Sequence, residues 1–224
     1  MIMGYRVPLI AVDAMTAWAT TDLPALLGHV AQLTDAREVD KHLLPLAVVV
    51  AQHHSAEAVS FLMTELSPSQ RPLWVERITH QWMDADLETA AGWFLTPQVA
   101  EAGSGVAVSL ATRIVGANSP EEAWDWLASL PPGVARAEAW TAAFREWGLR
   151  DPGQTAALIN HLAGTAPERV ADLDAASRGL AESLLQHDAA LASTWIGTIR
   201  DEHVFQMAQR TLREHLMAEL PNED

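Results

Sequence analysis

The chain has 224 residues, 49% of them hydrophobic, and a formal net charge of −15 from 29 acidic and 14 basic residues. This excess of negative charge disfavours nucleic-acid binding, because phosphate backbones repel it and the scattered cations form no basic strip. The absence of cysteine excludes disulfides, thiolate metal sites and cysteine nucleophiles. A protein or peptide partner of basic or neutral character is favoured instead.

The first twenty residues carry neither a signal-peptide pattern nor a membrane span. The apolar stretch from Val7 to Val12 is short, is weakly basic in its flanks and is followed at once by Asp13. No run in the chain approaches the ~18 apolar residues that a membrane-spanning helix needs. We therefore expect no membrane insertion, and the cytoplasm is the default expectation for the compartment.

A sequence pattern of similar length recurs six times along the chain. Successive anchor residues are 32, 32, 33, 32 and 37 positions apart. A large apolar residue stands four positions before each anchor, a usually small residue stands four after it, and large, mostly apolar residues stand seven and eight after it. Such a period indicates stacked hairpins that bury their apolar faces against one another. The anchors are Asp22, His54, Asp86, Ser119, Asp151 and Asp188.

This period predicts an all-α chain in a single helical-repeat domain spanning 1–224. The predicted architecture is a right-handed α-solenoid of about six helix-turn-helix repeats, preceded by an N-terminal half-repeat. The half-repeat covers 4–20, because Trp18 stands four residues before the first anchor. Its apolar surface is a candidate for self-association. The predicted repeats are 22–53, 54–85, 86–118, 119–150, 151–187 and 188–220.

Each repeat is predicted to hold two helices, the first of which begins at the anchor. Asp and Ser are suited to this place because their side chains accept a free backbone N–H, and Pro120 and Pro152 suit the first helical position. Pro131 and Pro132 end the first helix of the fourth repeat. The glycines of 103–105 should weaken or break the second helix of the third repeat, and the extra length of the fifth repeat is placed around 164–168. The predicted pairs are 22–33 with 37–52, 55–66 with 70–84, 87–95 with 98–116, 120–130 with 134–149, 152–163 with 168–186, and 189–200 with 202–220.

The fourth repeat opens at Ser119 with Ser-Pro-Glu-Glu-Ala-Trp-Asp-Trp-Leu-Ala-Ser-Leu-Pro-Pro-Gly and continues to Arg136. This segment resembles bacterial α-helical hairpin repeats in which Asp-Pro, Ala, Trp-Leu, Leu-Pro and Arg follow one another along the chain. Such repeats are similar in architecture to tetratricopeptide (TPR) and HEAT-like α-solenoids. The match is close over 119–150 and moderate over 54–93 and 151–163, and the tetratricopeptide signature itself is not matched. The resemblance implies a binding or scaffold module.

The nine Trp residues fall mostly at repeat positions, where packing is the first interpretation. The predicted core positions are those of Trp82, Trp93, Trp126, Trp147 and Trp195. Three further Trp residues are candidates for binding a partner, because aromatic side chains often anchor interfaces. Packing is the favoured alternative for each of them. These candidates are Trp74, Trp124 and Trp140.

The sequence predicts no catalytic residue, no metal site and no cofactor. Asp84, Asp86 and Glu88 form an acidic group that could serve acid–base chemistry, but a helix cap and the charge preference of a first helical turn explain it better. His29 replaces a repeat aromatic and is interpreted as a packed core histidine. The segment 103–106 is too short to cradle phosphate and is interpreted as a loop.

These features favour a non-catalytic protein-protein interaction or scaffold module that binds a partner on the concave face of the solenoid. The alternative is an all-α enzyme, either a HEAT-like DNA glycosylase or an α/α lyase. The net charge argues against the glycosylase, and the lack of a clustered acidic motif argues against the lyase. A positively charged groove around one buried Asp would favour the enzyme.

Overall fold

The chain is all-helical wherever its structure is described. The regular elements are α-helices and the described residues contain no strand, which confirms the all-α prediction. The chain divides into two compact units, Met1–Val106 and Ala107–Asp224. The computed structural model describes residues 14–15, 17–18, 21–22, 24–26, 28–29, 32, 68, 71–117 and 120–218. From position 71 onward the helices are α1 (Arg71–Ala85), α2 (Leu87–Phe94), α3 (Pro97–Ala102), α4 (Ser104–Ala117), α5 (Pro120–Ser129), α6 (Val134–Arg150), α7 (Pro152–Thr165), α8 (Val170–Leu184), α9 (Ala189–Ile196) and α10 (Glu202–Ala218).

From α1 onward the helices follow the predicted pairs closely. The predicted helix over 98–116 is broken, as its glycines indicate, into α3 and α4. The break is confined to Gly103 and α4 begins at the next residue, so the interpretation of 103–106 as a loop is wrong beyond its first position. A Cβ at Gly103 would lie 2.6 Å from Val75 Cγ1 and 2.9 Å from Phe94 Cε2. Close packing therefore leaves room only for glycine at the break.

Three anchors form the same junction between consecutive helices. Asp86, Asp151 and Asp188 each donate their backbone N–H to the carbonyl four residues earlier, at 2.7–2.8 Å. Each side-chain Oδ1 accepts the N–H three residues later, at 2.8–3.0 Å. One residue thus closes one helix and caps the next, and we call this junction the Asp joint. Asp22 makes the same capping bond at 3.0 Å, whereas the two anchors other than Asp lie outside the described residues.

The burial of the repeat positions separates the core from its edge. From the third repeat onward, the residues four before, four after and eight after the anchor are buried. Seven after the anchor, Trp93, Trp126 and Trp195 are only half-buried, so their prediction as core residues is wrong, whereas Trp82 and Trp147 are buried as predicted. At about 100° per residue, position seven lies roughly 60° from position four and roughly 100° from position eight. It therefore falls at the edge of the buried stripe.

The second unit is organised around α8, which lies between α6 and α10 and contacts both. Two glycines allow α6 and α8 to approach closely. A Cβ on Gly179 would collide with the Thr141 carbonyl oxygen and lie 2.9 Å from Arg145 N. A Cβ on Gly148 would collide with Ser183 Oγ. The two helices therefore meet along a close seam that fixes their relative position.

The extra length of the fifth repeat lengthens its first helix. This helix, α7, has 14 residues, whereas its counterpart α5 has 10. The difference is about one helical turn, so α7 gains length without a change of direction. The predicted insertion around 164–168 covers the end of α7 and the loop 166–169 that follows it.

Several predictions fall mainly outside the described residues. The half-repeat 4–20 is described at four positions, where Met15 is buried and Trp18 is 39% exposed. Its self-association stays a prediction, as do the single domain over 1–224 and the boundaries of the six repeats. None of the described helices combines the length and the apolar character that crossing a membrane requires.

Candidate functional site

The second unit contains a groove at the N-terminal halves of α6, α8 and α10. These are the second helices of three consecutive hairpins, and the space between them has a volume of about 630 Å³. Both walls are positioned by α8, since it packs against the other two helices. The side chains that define the groove are Val134 and Glu138 from α6, Val170 and Arg178 from α8, and Val204 and Met207 from α10.

The floor of the groove is apolar. Val134 opens α6, Val170 opens α8 and Val204 stands in the first turn of α10, so each hairpin contributes one valine. Val134 is 70% exposed, and Val170, Val204 and Met207 are half-buried. A concave surface that combines apolar side chains with a few polar groups is typical of a binding site.

Ion pairs fix the polar side chains along one wall of the groove. The Arg178 guanidinium donates to Glu182 Oε1 at 2.8 Å and lies 3.4 Å from Glu138 Oε1. Arg145 lies 3.9 Å from the second Glu182 oxygen. This chain of alternating charges connects α6 with α8. It neutralises Glu138 and Arg178 locally, so neither is an isolated charge for a ligand.

A buried carboxylate holds the opposite wall. Asp174 is only 3% exposed, and its two oxygens accept the backbone N–H groups of Arg200 and Asp201 at 3.0 and 2.8 Å. Asp201 in turn accepts the N–H of Val204 at 3.0 Å and caps α10. Asp174 therefore fixes the start of α10 and the backbone from which the Arg200 side chain projects.

A partly buried ion pair holds the loop that enters α6. Arg136 Nε donates to Asp172 Oδ1 at 2.7 Å, and a second nitrogen pairs with Oδ2. The remaining nitrogen donates to the carbonyl oxygens of Ala128 and Leu130 at 3.0 and 2.6 Å. The Arg136 side chain thus has a structural role at this repeat position. It connects the end of α5 to α8 and fixes the start of α6.

A smaller pocket of about 180 Å³ adjoins the groove on the other side of Asp174. We call it the side pocket, and it is formed by Asn160 of α7, Ser177 of α8, and Trp195 and Thr198 from α9 and its following turn. The hydroxyl groups of Thr198 and Ser177 lie 3.2 Å apart. Arg200 borders both the groove and the side pocket.

The structure does not bring the three candidate Trp residues together at a surface. Trp74 is buried in the first unit and Trp140 is buried in the second, which places both among packing residues. Trp124 is half-buried and meets Trp140 edge-on, with ring centroids 4.7 Å apart. The Arg169 guanidinium lies 5.8 Å from the Trp124 ring centroid. None of the three lines the groove.

The acidic group and the repeat histidine have structural contacts. Asp86 accepts hydrogen bonds from the Thr89 N–H at 3.0 Å and the Thr89 hydroxyl at 2.6 Å. Glu88 lies in the first turn of α2, as its helix-dipole interpretation requires. His29 is exposed beside Trp18, with ring centroids 5.4 Å apart, so its interpretation as a packed core histidine is wrong. Across the described residues, no group of three His, Asp or Glu side chains is placed to hold a metal ion.

Sequence reasoning missed the residues that build the groove. The valines at the starts of second helices were a usable signal, whereas Asp174 and Arg200 occupy no recurring position. Their arrangement depends on the packing of three hairpins, which one repeat does not reveal. The resulting site offers shape, an apolar floor and fixed charges. No family model matches the chain, and no similar curated protein or solved structure was found.

Proposed function

We propose that the chain is a non-catalytic protein-protein interaction or scaffold module whose groove receives a segment of a partner protein. The groove itself carries this proposal, because it leaves apolar side chains from three hairpins accessible between fixed walls. A groove lined by helices can accept an amphipathic helix or an extended peptide. Walls that are already ordered reduce the entropic cost of binding.

The proposal includes the finer architecture, a right-handed α-solenoid of about six hairpins with an N-terminal half-repeat. The recurrence of the Asp joint and the contacts of α8 with the preceding and following second helices support it. The resemblance of 119–150 to bacterial TPR/HEAT-like hairpin repeats supports it as well. In such a stack the second helices line the concave face, which is where partners bind.

The alternative is an all-α enzyme, a HEAT-like DNA glycosylase or an α/α lyase. A glycosylase needs an available carboxylate in a basic groove. Asp174 is buried beside the groove, but both of its oxygens already accept backbone N–H groups. The groove also carries Glu138 and Asp201, so it is not uniformly positive. No arrangement of described residues specifically favours the enzyme, and we place it second.

A matched pair of substitutions on one helix tests the proposal. Val134→Glu places a charge in the groove, whereas Leu149→Glu places the same charge at the far end of α6, where the leucine is 58% exposed. Peptides are first selected against the unmodified chain from a random twelve-residue display library. We expect their affinity, measured by calorimetry, to fall at least about tenfold with Val134→Glu, because binding would then desolvate a carboxylate.

The Leu149→Glu variant should bind the same peptides as the unmodified chain does. Both variants should keep the helical circular dichroism and thermal midpoint of the parent, since both positions are exposed. A selection that enriches no peptide, or peptides that lose affinity equally in both variants, would refute the groove as the binding surface.

A further inference from the structure

Arg200 stands at the ridge between the groove and the side pocket. Its backbone N–H is held by the buried Asp174, so the starting point of its side chain is fixed. The residue itself is exposed. Across the described part of the chain, no carboxylate pairs with its guanidinium. Arg200 is therefore a positioned cation with its donors available.

The other charges in the groove already have partners. Glu138 pairs with Arg178, and Arg178 also bonds to Glu182. Asp174 accepts two backbone N–H groups, and Asp201 accepts the N–H of Val204. A basic ligand would have to compete with these contacts at Glu138 and Asp174. An acidic ligand group would meet an arginine without such a competitor.

We propose, on the basis of the proposed function, that the groove selects a partner segment in which a single carboxylate precedes or follows an apolar side chain. The apolar side chain lies against Val204 and Met207, and the carboxylate pairs with Arg200. The planar guanidinium favours this chemistry, because its paired N–H groups match the two oxygens of a carboxylate.

The net charge of the chain limits how acidic the partner segment is. A run of carboxylates would be repelled by a molecule with a formal charge of −15. One carboxylate beside an apolar side chain meets the local cation and avoids most of that long-range repulsion, which salt screens beyond about 10 Å. The recognised feature is therefore an isolated acid in an apolar context, as opposed to an acidic tract.

Three small probes with the same apolar chain and different head groups test this selectivity. Hexanoate, hexanamide and pentylammonium are titrated into the full chain, and the methyl resonances of Val204 and Met207 report binding. We expect hexanoate to bind about fivefold more tightly than hexanamide, the factor expected of one partly exposed ion pair. Pentylammonium should bind more weakly than hexanamide.

Arg200→Gln should abolish the preference for hexanoate and leave the affinity for hexanamide unchanged. Arg210→Gln is the matched control, because this exposed arginine of α10 does not line the groove and its loss should preserve the preference. Pentylammonium binding as tightly as hexanoate, or a preference that survives Arg200→Gln, would overturn the inference while leaving the groove as a binding site. If none of the probes shifts the methyl resonances, this inference fails, whereas the proposed function fails if the display library yields no peptide that depends on Val134.

Discussion

The two loops that flank the groove are held by side chains of opposite charge, the half-buried Arg136 and the buried Asp174. The loop entering α6 is held by Arg136, which binds the carbonyl oxygens of Ala128 and Leu130. The loop entering α10 is held by Asp174, which binds the N–H groups of Arg200 and Asp201. In both cases a second helix fixes a neighbouring loop through two backbone groups.

The signs of these two contacts follow from the polarity of the helix ends. The last carbonyls of a helix lack intrahelical donors and form its negative end, so a cation suits the end of α5. The first N–H groups form the positive end, so a carboxylate suits the approach to α10. Asp172 and Asp174 stand two residues apart on α8 and therefore face different neighbours. One helix thus controls both walls of the groove.

The largest expected effect comes from removing the cation. Arg136→Ala leaves the buried Asp172 carboxylate without its partner, and it frees two carbonyl groups at the end of α5. We expect the free energy of unfolding, measured in urea, to fall by about 3–5 kcal/mol. Replacing both partners, Arg136→Met with Asp172→Leu, should recover much of the ionic part of this loss, because no unpaired charge remains.

Arg145→Ala is the control for this prediction. Its guanidinium is 3.9 Å from Glu182 and its side chain is 40% exposed, so the loss should be below about 1 kcal/mol. Equal losses for Arg136→Ala and Arg145→Ala would mean that burial does not strengthen the first contact.

A smaller effect is expected at the opposite wall. Asp174→Ala removes the acceptor of two N–H groups, but the Arg200 and Asp201 loop is exposed and water can replace part of the loss. We expect a decrease of about 2 kcal/mol in the free energy of unfolding. Amide exchange at Arg200 and Asp201 should accelerate more than at Ala128 and Leu130.

Asp125→Ala serves as the control for the buried carboxylate, since Asp125 is exposed on α5. It should change neither the stability nor the exchange of the α10 loop. Unchanged exchange at Arg200 and Asp201 in Asp174→Ala would show that other contacts hold this wall.

The smallest effect is expected at an Asp joint, where an exposed carboxylate serves one N–H group. Asp188 accepts the N–H of Leu191 at 2.8 Å. Asp188→Ala should cost about 1 kcal/mol in thermal or urea unfolding, whereas Asp188→Ser should retain most of the cap. A loss as large as that of Asp174→Ala would remove the distinction between exposed and buried carboxylates.

The sequence allowed the helices and their junctions to be predicted because these depend on local signals. Cap residues, prolines and the period of apolar residues placed α1 to α10 and the break at Gly103. Position seven after the anchor was assigned to the core because it is Phe or Trp in four repeats. Its real exposure depends on the direction from which the neighbouring helices pack.

The groove could not be derived in the same way. Asp172 and Asp174 have no counterpart in the preceding second helix, where Ala135 and Ala137 take the matching places before the next anchor. Their contacts join positions 26 to 36 residues apart in the sequence. Only the packing of three hairpins shows that one carboxylate meets Arg136 while the other secures the loop carrying Arg200.

The Asp joint has a consequence for how such a chain can change its length. At Asp86 and Asp151 a single residue ends one helix and begins the next, so no spare chain separates the hairpins there, whereas residues 185–187 precede Asp188. Inserting residues there would disturb two helices simultaneously, whereas α7 shows that a whole turn can be added within a hairpin. A segment that begins and ends at these aspartates carries the complete start and stop signals of its helices. The aspartates are therefore the natural boundaries at which hairpins can be duplicated, grafted or exchanged.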